Sequence, residues 1–256
     1  MRSMDDARAT GTLYLIPTML GGGDIGSVLP QRVIERVRAL RRFIAETPRE
    51  ARQFLKHAGA ITPIQDLSIA VLNEHSRPGD IAALLDPLQN GHDVGLLSDA
   101  GCPAVADPGS DLIRLAHEAR IPVVPLAGPS AILLALMASG LNGQRFTFHG
   151  YLPVDARERA RRIRELEHES RERDTTQIFI EAPYRNQRMF AALMENCDGE
   201  TRICIATDLT LAGESVHTRT AADWRKQPPD IHKRPAVFLL YAGQADRAIT
   251  SRPSRS

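Results

Sequence analysis

Short apolar runs alternate along the first half of this chain with longer stretches in which apolar residues return at helical spacing. The runs predict strands at Thr12–Ile16 (stopped by Pro17), Phe43–Ala45, Leu67–Leu72, Val94–Leu97 and Val123–Val124. Between them, Val28–Leu40 has a helical face of Val33, Val37 and Leu40, although Pro30 delays a regular helix to about Gln31. Further helices are predicted over Ala51–Ala58, closed by Gly59, and over Ile81–Leu88 and Leu112–Ala119. No hairpin signal interrupts this alternation, which implies a parallel sheet covered on both faces. After Pro125 the pattern restarts. A helix at Ala131–Ser139 is followed by strands at Phe146–His149, Thr176–Ile180, Arg202–Thr207, Val216–Thr220 and Ala236–Tyr241, with helices over Asp155–Asp174 and Arg188–Asn196. The expected organisation is an α/β fold with domains at 10–125 and 126–243. The polar ends, residues 1–10 and the arginine-bearing tail 244–256, are expected to be frayed or disordered.

Composition narrows the class. The 256 residues are 43% hydrophobic and 25% charged, ordinary values for a soluble globular chain. No apolar run approaches the roughly 20 residues that span a bilayer, so no membrane association is expected. Cys102, Cys197 and Cys204 have neither disulfide nor metal-ligand spacing, which points to a reducing cytoplasm and no metal. With a net charge of +1, a nucleic-acid partner would have to be met by a local basic patch. Asp155–Asp174, with seven arginines and seven acids, reads mainly as a solvated helix, an RNA-facing role being the alternative.

The candidate chemistry gathers at Ser98–Gly109, S-D-A-G-C-P-A-V-A-D-P-G, at the carboxyl end of a predicted strand, where open α/β sheets bind ligands. Gly101 permits close backbone approach. A buried Asp99 could accept hydrogen bonds from ribose hydroxyls or an amine, or could serve only as a cap. Asp107 is expected to cap the next helix, with Pro108 at its first position. Gly21–Gly26 matches G-x-G-x-x-G, and Glu46 follows Gly26 by 20 residues. A dinucleotide fingerprint, however, turns directly from strand to helix, whereas here Pro17–Leu20 intervene and Pro30 postpones the helix. These glycines are read as a loop able to lie over a ligand.

The ordered set of Ser98-Asp99-Ala100-Gly101 with Asp107-Pro108-Gly109, Pro125 through Ala131, Phe148-His149-Gly150-Tyr151-Leu152-Pro153 and Glu181-Ala182-Pro183-Tyr184-Arg185 resembles the tetrapyrrole methylase superfamily, the class III S-adenosylmethionine methyltransferases. Ala45-Glu46 with Arg49 and Arg52, Glu74-His75 and Asp208-Leu209-Thr210 match more weakly. Within the superfamily the chain is most similar to bacterial enzymes that methylate a cytidine ribose 2′-hydroxyl in small-subunit ribosomal RNA. The resemblance implies two αβα domains, the first with a five-stranded, mainly parallel sheet, S-adenosylmethionine in a cleft between them, and a homodimer. It carries cofactor contacts, many through backbone atoms, onto Pro17, Asp99, Gly101, Cys102, Ser130, Ala131, Glu181, Ala182, Leu209, Pro235 and Ala236. Cys102 stands where the family commonly has threonine and is read as lining the pocket, not as a nucleophile. The chain departs from the family in the first loop, at Glu46-Thr47-Pro48-Arg49 and at Thr210-Leu211. It also lacks the extra C-terminal segment of the longer ribosomal RNA enzymes.

Methyl transfer from a sulfonium is an in-line displacement that asks mainly for positioning, but a hydroxyl acceptor profits from a nearby base. Glu46 is the first candidate and Asp24 the second. An ion pair of Glu46 with Arg49 or Arg52 is the competing reading. Arg49, Arg52 and Arg185, with Arg32 and Arg36, are candidate contacts to RNA phosphates. The alternative function is a methyltransferase for a small tetrapyrrole-like molecule or a modified protein side chain, and a binding-only relative is a third class.

Overall fold

The computed structural model describes residues 10–243, so the expectations for residues 1–9 and for the tail 244–256 lie outside the described residues. The chain splits into two units, with the break between Ser130 and Ala131.

In the first unit, β1 (Leu13–Ile16), β2 (Arg42–Ala45), β3 (Ser68–Val71), β4 (Val94–Leu97) and β5 (Val123–Pro125) form one sheet in the order β3-β2-β4-β1-β5. Every neighbouring pair is parallel, so the sheet is wholly rather than mainly parallel. Helices α1 (Gln31–Ala39) and α2 (Pro48–Ala58) carry the chain in one direction across the sheet. Then α3 (Pro78–Ala83), α4 (Asp86–Gln89) and α5 (Ser110–Glu118) bring it back. Since such crossovers are right-handed, the reversal puts the two sets on opposite faces. Two cores result. Val33, Val37, Phe54 and Leu55 pack in one with Phe43 and Ile16. Ile81, Leu88, Leu112 and Ala116 pack in the other with Leu13 and Leu96. The connections leaving adjacent β1 and β4 therefore run in opposite directions, which opens a crevice at their carboxyl ends.

The helix expected over Ile81–Leu88 is broken into α3 and α4. Pro87 has no N–H to donate to Ala83, and its ring would clash with that carbonyl in a continuous helix. Helix α2 ends as expected, with Gly59 in the left-handed conformation (φ 73°).

The second unit holds α6 (Ala131–Ser139), β6 (Phe146–Tyr151), α7 (Ala156–Arg173), β7 (Thr176–Ile180), α8 (Asn186–Asn196), β8 (Arg202–Thr207), β9 (Ser215–Thr220), α9 (Ala221–Lys226) and β10 (Ala236–Tyr241). Its sheet runs β6-β7-β10-β8-β9, parallel only between β6 and β7. On β9, Thr218 donates to the Ser139 carbonyl of α6 (2.6 Å), while the Arg219 guanidinium lies over the Trp224 ring of α9, 4.7 Å from its centroid. Successive strand residues point to opposite faces, so α6 and α9 cover opposite sides. The core is built by Phe179 stacked on Phe238, with Ile163, Leu166, Met189 and Leu193 from α7 and α8. Helix α9 was not expected, although Thr220-x-x-Asp223 carries its signal: the Thr220 hydroxyl accepts from the Asp223 N–H. Among the described residues, no helix is long and apolar enough to cross a membrane.

Candidate functional site

Because the first sheet is parallel, the loops after all five strands leave from one edge. Three of them are stitched together. The Thr18 N–H donates to the Gly101 carbonyl (2.9 Å) and its hydroxyl to the Ser98 carbonyl (3.0 Å), joining the loop after β1 to that after β4. The Cys102 thiol donates to the Pro129 carbonyl (3.5 Å), joining the loop after β4 to that after β5. Gly128 lies so close to Pro17 that a Cβ would stand 2.5 Å from the proline's own, so only glycine permits this approach. Gly101 has φ +79°, and a Cβ there would meet Leu20 at 3.1 Å. Ala104 and Ala106 also sit in the left-handed region, at φ 63° and 59°. Non-glycine residues there cost about 1–2 kcal/mol each, strain of the kind that collects at functional loops. Pro17, Gly101, Cys102 and the segment to Ser130 thus converge within the first unit. Burial raises the Cys102 thiol above its ordinary pKa, so it stays protonated as a donor, in keeping with a lining rather than a nucleophilic role.

The carboxylates of this edge depart from expectation. Asp99 is exposed, not buried, and accepts from the Thr47 N–H (3.2 Å) and hydroxyl (2.6 Å). Asp99 is therefore held by Thr47, a residue of the segment Glu46-Thr47-Pro48-Arg49. Asp107 does not cap α5, whose N-cap is Gly109 without a side-chain bond. Instead the Asp107 carboxylate accepts from the buried Ser98 hydroxyl, and burial raises its pKa, with Asp99 adding to the rise. Glu46, at the end of β2, is half-buried and makes no ion pair with Arg49 or Arg52 among the described residues. Burial first, then Asp107, Asp99 and Glu74, raise its pKa. Asp24 is exposed and caps a single 3-10 turn at Ile25–Ser27 by accepting from the Gly26 N–H (3.2 Å), a local structural task.

A groove of about 410 Å³ opens beside this edge. Thr18–Gly23 form one wall, Ser98–Ala100 another, and Glu50, Gln53, Phe54 and His57 of α2 the third. The glycine run thus borders a ligand-sized space without turning directly into a helix. Sequence reading passed over Glu50, Gln53 and His57, although their spacing along α2 places them on one helical face.

The second unit assembles its own set. Ile180 of β7 pairs with Val237 of β10, and Thr207 of β8 with Ala236, so the ends that carry Glu181-Ala182, Leu209 and Pro235-Ala236 share one sheet edge. The Asp208 N–H donates to the Pro235 carbonyl (3.0 Å). Leu209 and Ala236 are buried and Pro235 is exposed. Asp208 and Thr210 take left-handed φ of 50° and 69°, echoing the loop after β4. Glu181 is buried, its side chain 1% exposed; it accepts from the Ala182 N–H (2.7 Å) and from Arg185 through Nε (2.8 Å) and Nη2 (2.5 Å). Arg185 is therefore committed to Glu181 and stacked near Tyr184 (5.6 Å), not free for a phosphate as expected. Asp208 is likewise held by Arg234 (2.7 Å).

Each unit thus carries, at one edge of its sheet, strand-end loops in left-handed conformations with small or apolar side chains, as a two-sheet α/β protein can. The comparisons with known proteins give the class. Residues 12–224 match the family described as Tetrapyrrole (Corrin/Porphyrin) Methylases. Ribosomal RNA small subunit methyltransferase I of Pseudomonas aeruginosa is 33% identical over 93% of this chain and 81% of its own length. The protein of that name from Xylella fastidiosa is 35% identical over 93% and 83%. The crystal structure of the methyltransferase CobJ superposes with TM-score 0.59 at 18% identity, covering 91% of this chain and 94% of that one. The chain belongs to the tetrapyrrole methylase family and is an S-adenosylmethionine-dependent methyltransferase.

Proposed function

We propose that this enzyme transfers a methyl group from S-adenosylmethionine to a ribose 2′-hydroxyl of ribosomal RNA in the small subunit. The observation that carries the reading is the likeness, across more than nine-tenths of the chain, to relatives named as small-subunit ribosomal RNA methyltransferases. The geometry of the first unit supports it. Arg49 and Arg52 are exposed and bear no ion pair among the described residues, as phosphate contacts require.

The residues present fit the cofactor. Gly101 leaves a cradle that a Cβ would narrow, Cys102 offers a neutral thiol, and Leu209 and Ala236 offer apolar surface. Within the first unit Pro17, Gly101, Cys102 and Ser130 would hold it, and the family resemblance assigns cofactor contact to Ala131, Ala182, Leu209, Pro235 and Ala236 as well. Asp99 acts in part through Thr47, and Glu181 by fixing Arg185 and the turn at Ala182. When bound, the cofactor supplies an activated sulfonium methyl. Glu46 takes the proton of the acceptor hydroxyl. Its lifted pKa brings it nearer to that of an effective base at neutral pH. Asp24, tied to its cap, has no such part.

An RNA substrate of this kind implies a cytoplasmic enzyme. The family resemblance further supports a homodimer, for which Met137 of α6 and Phe146 and Tyr151 of β6 offer exposed apolar surface. Mapping ribose methylation in small-subunit RNA from cells with and without the gene tests the function. One site should lose its methyl group in the deletion and regain it on complementation. An unchanged RNA map would overturn the RNA reading in favour of a small-molecule acceptor.

A further inference from the structure

Helix α2 is the longest helix of the first unit, and its outward side chains stand without partners among the described residues. Ala51, Phe54, Leu55 and Ala58 face the core. The other residues after Pro48 are Arg49, Glu50, Arg52, Gln53, Lys56 and His57, and each is exposed. None makes a hydrogen bond or ion pair among the described residues, whereas Arg114 on α5 and Arg161 and Arg162 on α7 are all paired with glutamates. Helical spacing sorts the six into two stripes. Arg49, Arg52 and Lys56 form one, wholly cationic. Glu50, Gln53 and His57 form the other, and it lines the groove opposite Thr18–Gly23 and Ser98–Ala100.

Helix stability does not account for the cationic stripe. Arg49 lies in the first turn, where the helix dipole disfavours a cation, and Arg52 and Lys56 form a like-charge pair at i,i+4. Phosphates beside the stripe would relieve both. The neighbouring stripe has hydrogen-bonding groups of a definite sense. A glutamate carboxylate accepts only, so it suits an exocyclic amino group, and the Gln53 amide can donate to the adjacent ring nitrogen while also accepting.

We infer that α2 reads the acceptor strand: Arg49, Arg52 and Lys56 hold phosphates of single-stranded RNA while Glu50, Gln53 and His57 contact the edge of a base lodged in the groove. This inference rests on the RNA reading above. The base so read presents an amino donor beside a ring-nitrogen acceptor, as cytosine and adenine do. Uracil would turn a carbonyl oxygen toward the carboxylate of Glu50 and is disfavoured.

The test is binding of short single-stranded oligonucleotides of C, A or U to the full chain, with S-adenosylhomocysteine present, across a range of salt. The wild type should bind C or A roughly tenfold more tightly than U. The double variant Glu50→Ala/Gln53→Ala should lose that preference yet keep its salt dependence. The triple variant Arg49→Ala/Arg52→Ala/Lys56→Ala should keep the preference, while its log–log salt slope shrinks by about 2–3. All these side chains are exposed, and unchanged circular dichroism and S-adenosylhomocysteine affinity confirm that each variant is folded. A wild type without base preference, or a preference that survives in the double variant, overturns the inference and leaves the RNA reading standing. A wild type with no salt-dependent RNA affinity at all overturns both.

Discussion

The two sheets end their strands in opposite electrostatic styles. In the first unit three carboxylates at the strand ends have no cation among the described residues: Glu46 makes no ion pair, Asp107 is bonded to a hydroxyl and Asp99 to Thr47. In the second, the two acids that follow β7 and β8 each have an arginine, Arg185 for Glu181 and Arg234 for Asp208. An unpaired, partly desolvated carboxylate is costly to fold but retains basicity, whereas a buried ion pair is chemically quiet and structurally committed. Under the proposed function, the first unit does the proton chemistry and the second presents main chain and apolar surface.

That contrast breaks most sharply at Glu46. Glu46→Gln should lower methyl transfer by about 10²–10⁴-fold, the range for a lost general base, with cofactor affinity unchanged by calorimetry. Asp24→Asn should leave the rate near wild type, because Asp24 only caps a turn. A Glu46→Gln enzyme of normal rate would remove the proton chemistry from this unit.

In the second unit the expected loss is of stability. Arg185→Ala leaves the Glu181 carboxylate buried without its cation, and such a removal costs about 3–5 kcal/mol. Denaturant unfolding should show it as an earlier midpoint. If the midpoint holds and RNA affinity falls instead, Arg185 is a phosphate contact after all and the division of labour between the units fails.

The smallest effect is a pH dependence confined to the first unit. Glu46 and Asp107 both have carboxyl pKa values raised in the folded state. Between the ordinary and the raised value the native protein binds more protons than the unfolded chain, so stability falls as pH rises through that window. Thermal melts from acid toward neutral pH should show a downward component that Glu46→Gln and Asp107→Asn each reduce. Since both side chains are partly solvated, a shallow slope is expected. A component that both variants leave intact would place its origin elsewhere.

Element positions and the family were legible without coordinates because both depend on local pattern. Val94–Leu97 and Ala236–Tyr241 follow from uninterrupted apolar runs, and the observed strands have those bounds, as does the strand expected over Thr176–Ile180. The motif at 98–109 stood out because glycine, proline and aspartate are rarely gathered so densely unless a loop must hold a fixed shape. What each side chain does with that shape was not legible. Asp99 turned out exposed and held by Thr47, Asp107 held by Ser98 rather than by a helix end, and Arg185 tied to Glu181. Helix periodicity also overran Pro87 and missed the short α9. The physical reason is one of range. Strand and helix patterning repeats over a few residues and can be read from neighbours in the chain. A carboxylate's burial and its partner depend on which loop the fold brings alongside it. Asp99 meets Thr47 across 52 positions because β2 and β4 are adjacent in the sheet. Adjacency of that kind is decided by strand order, which only the tertiary structure supplies.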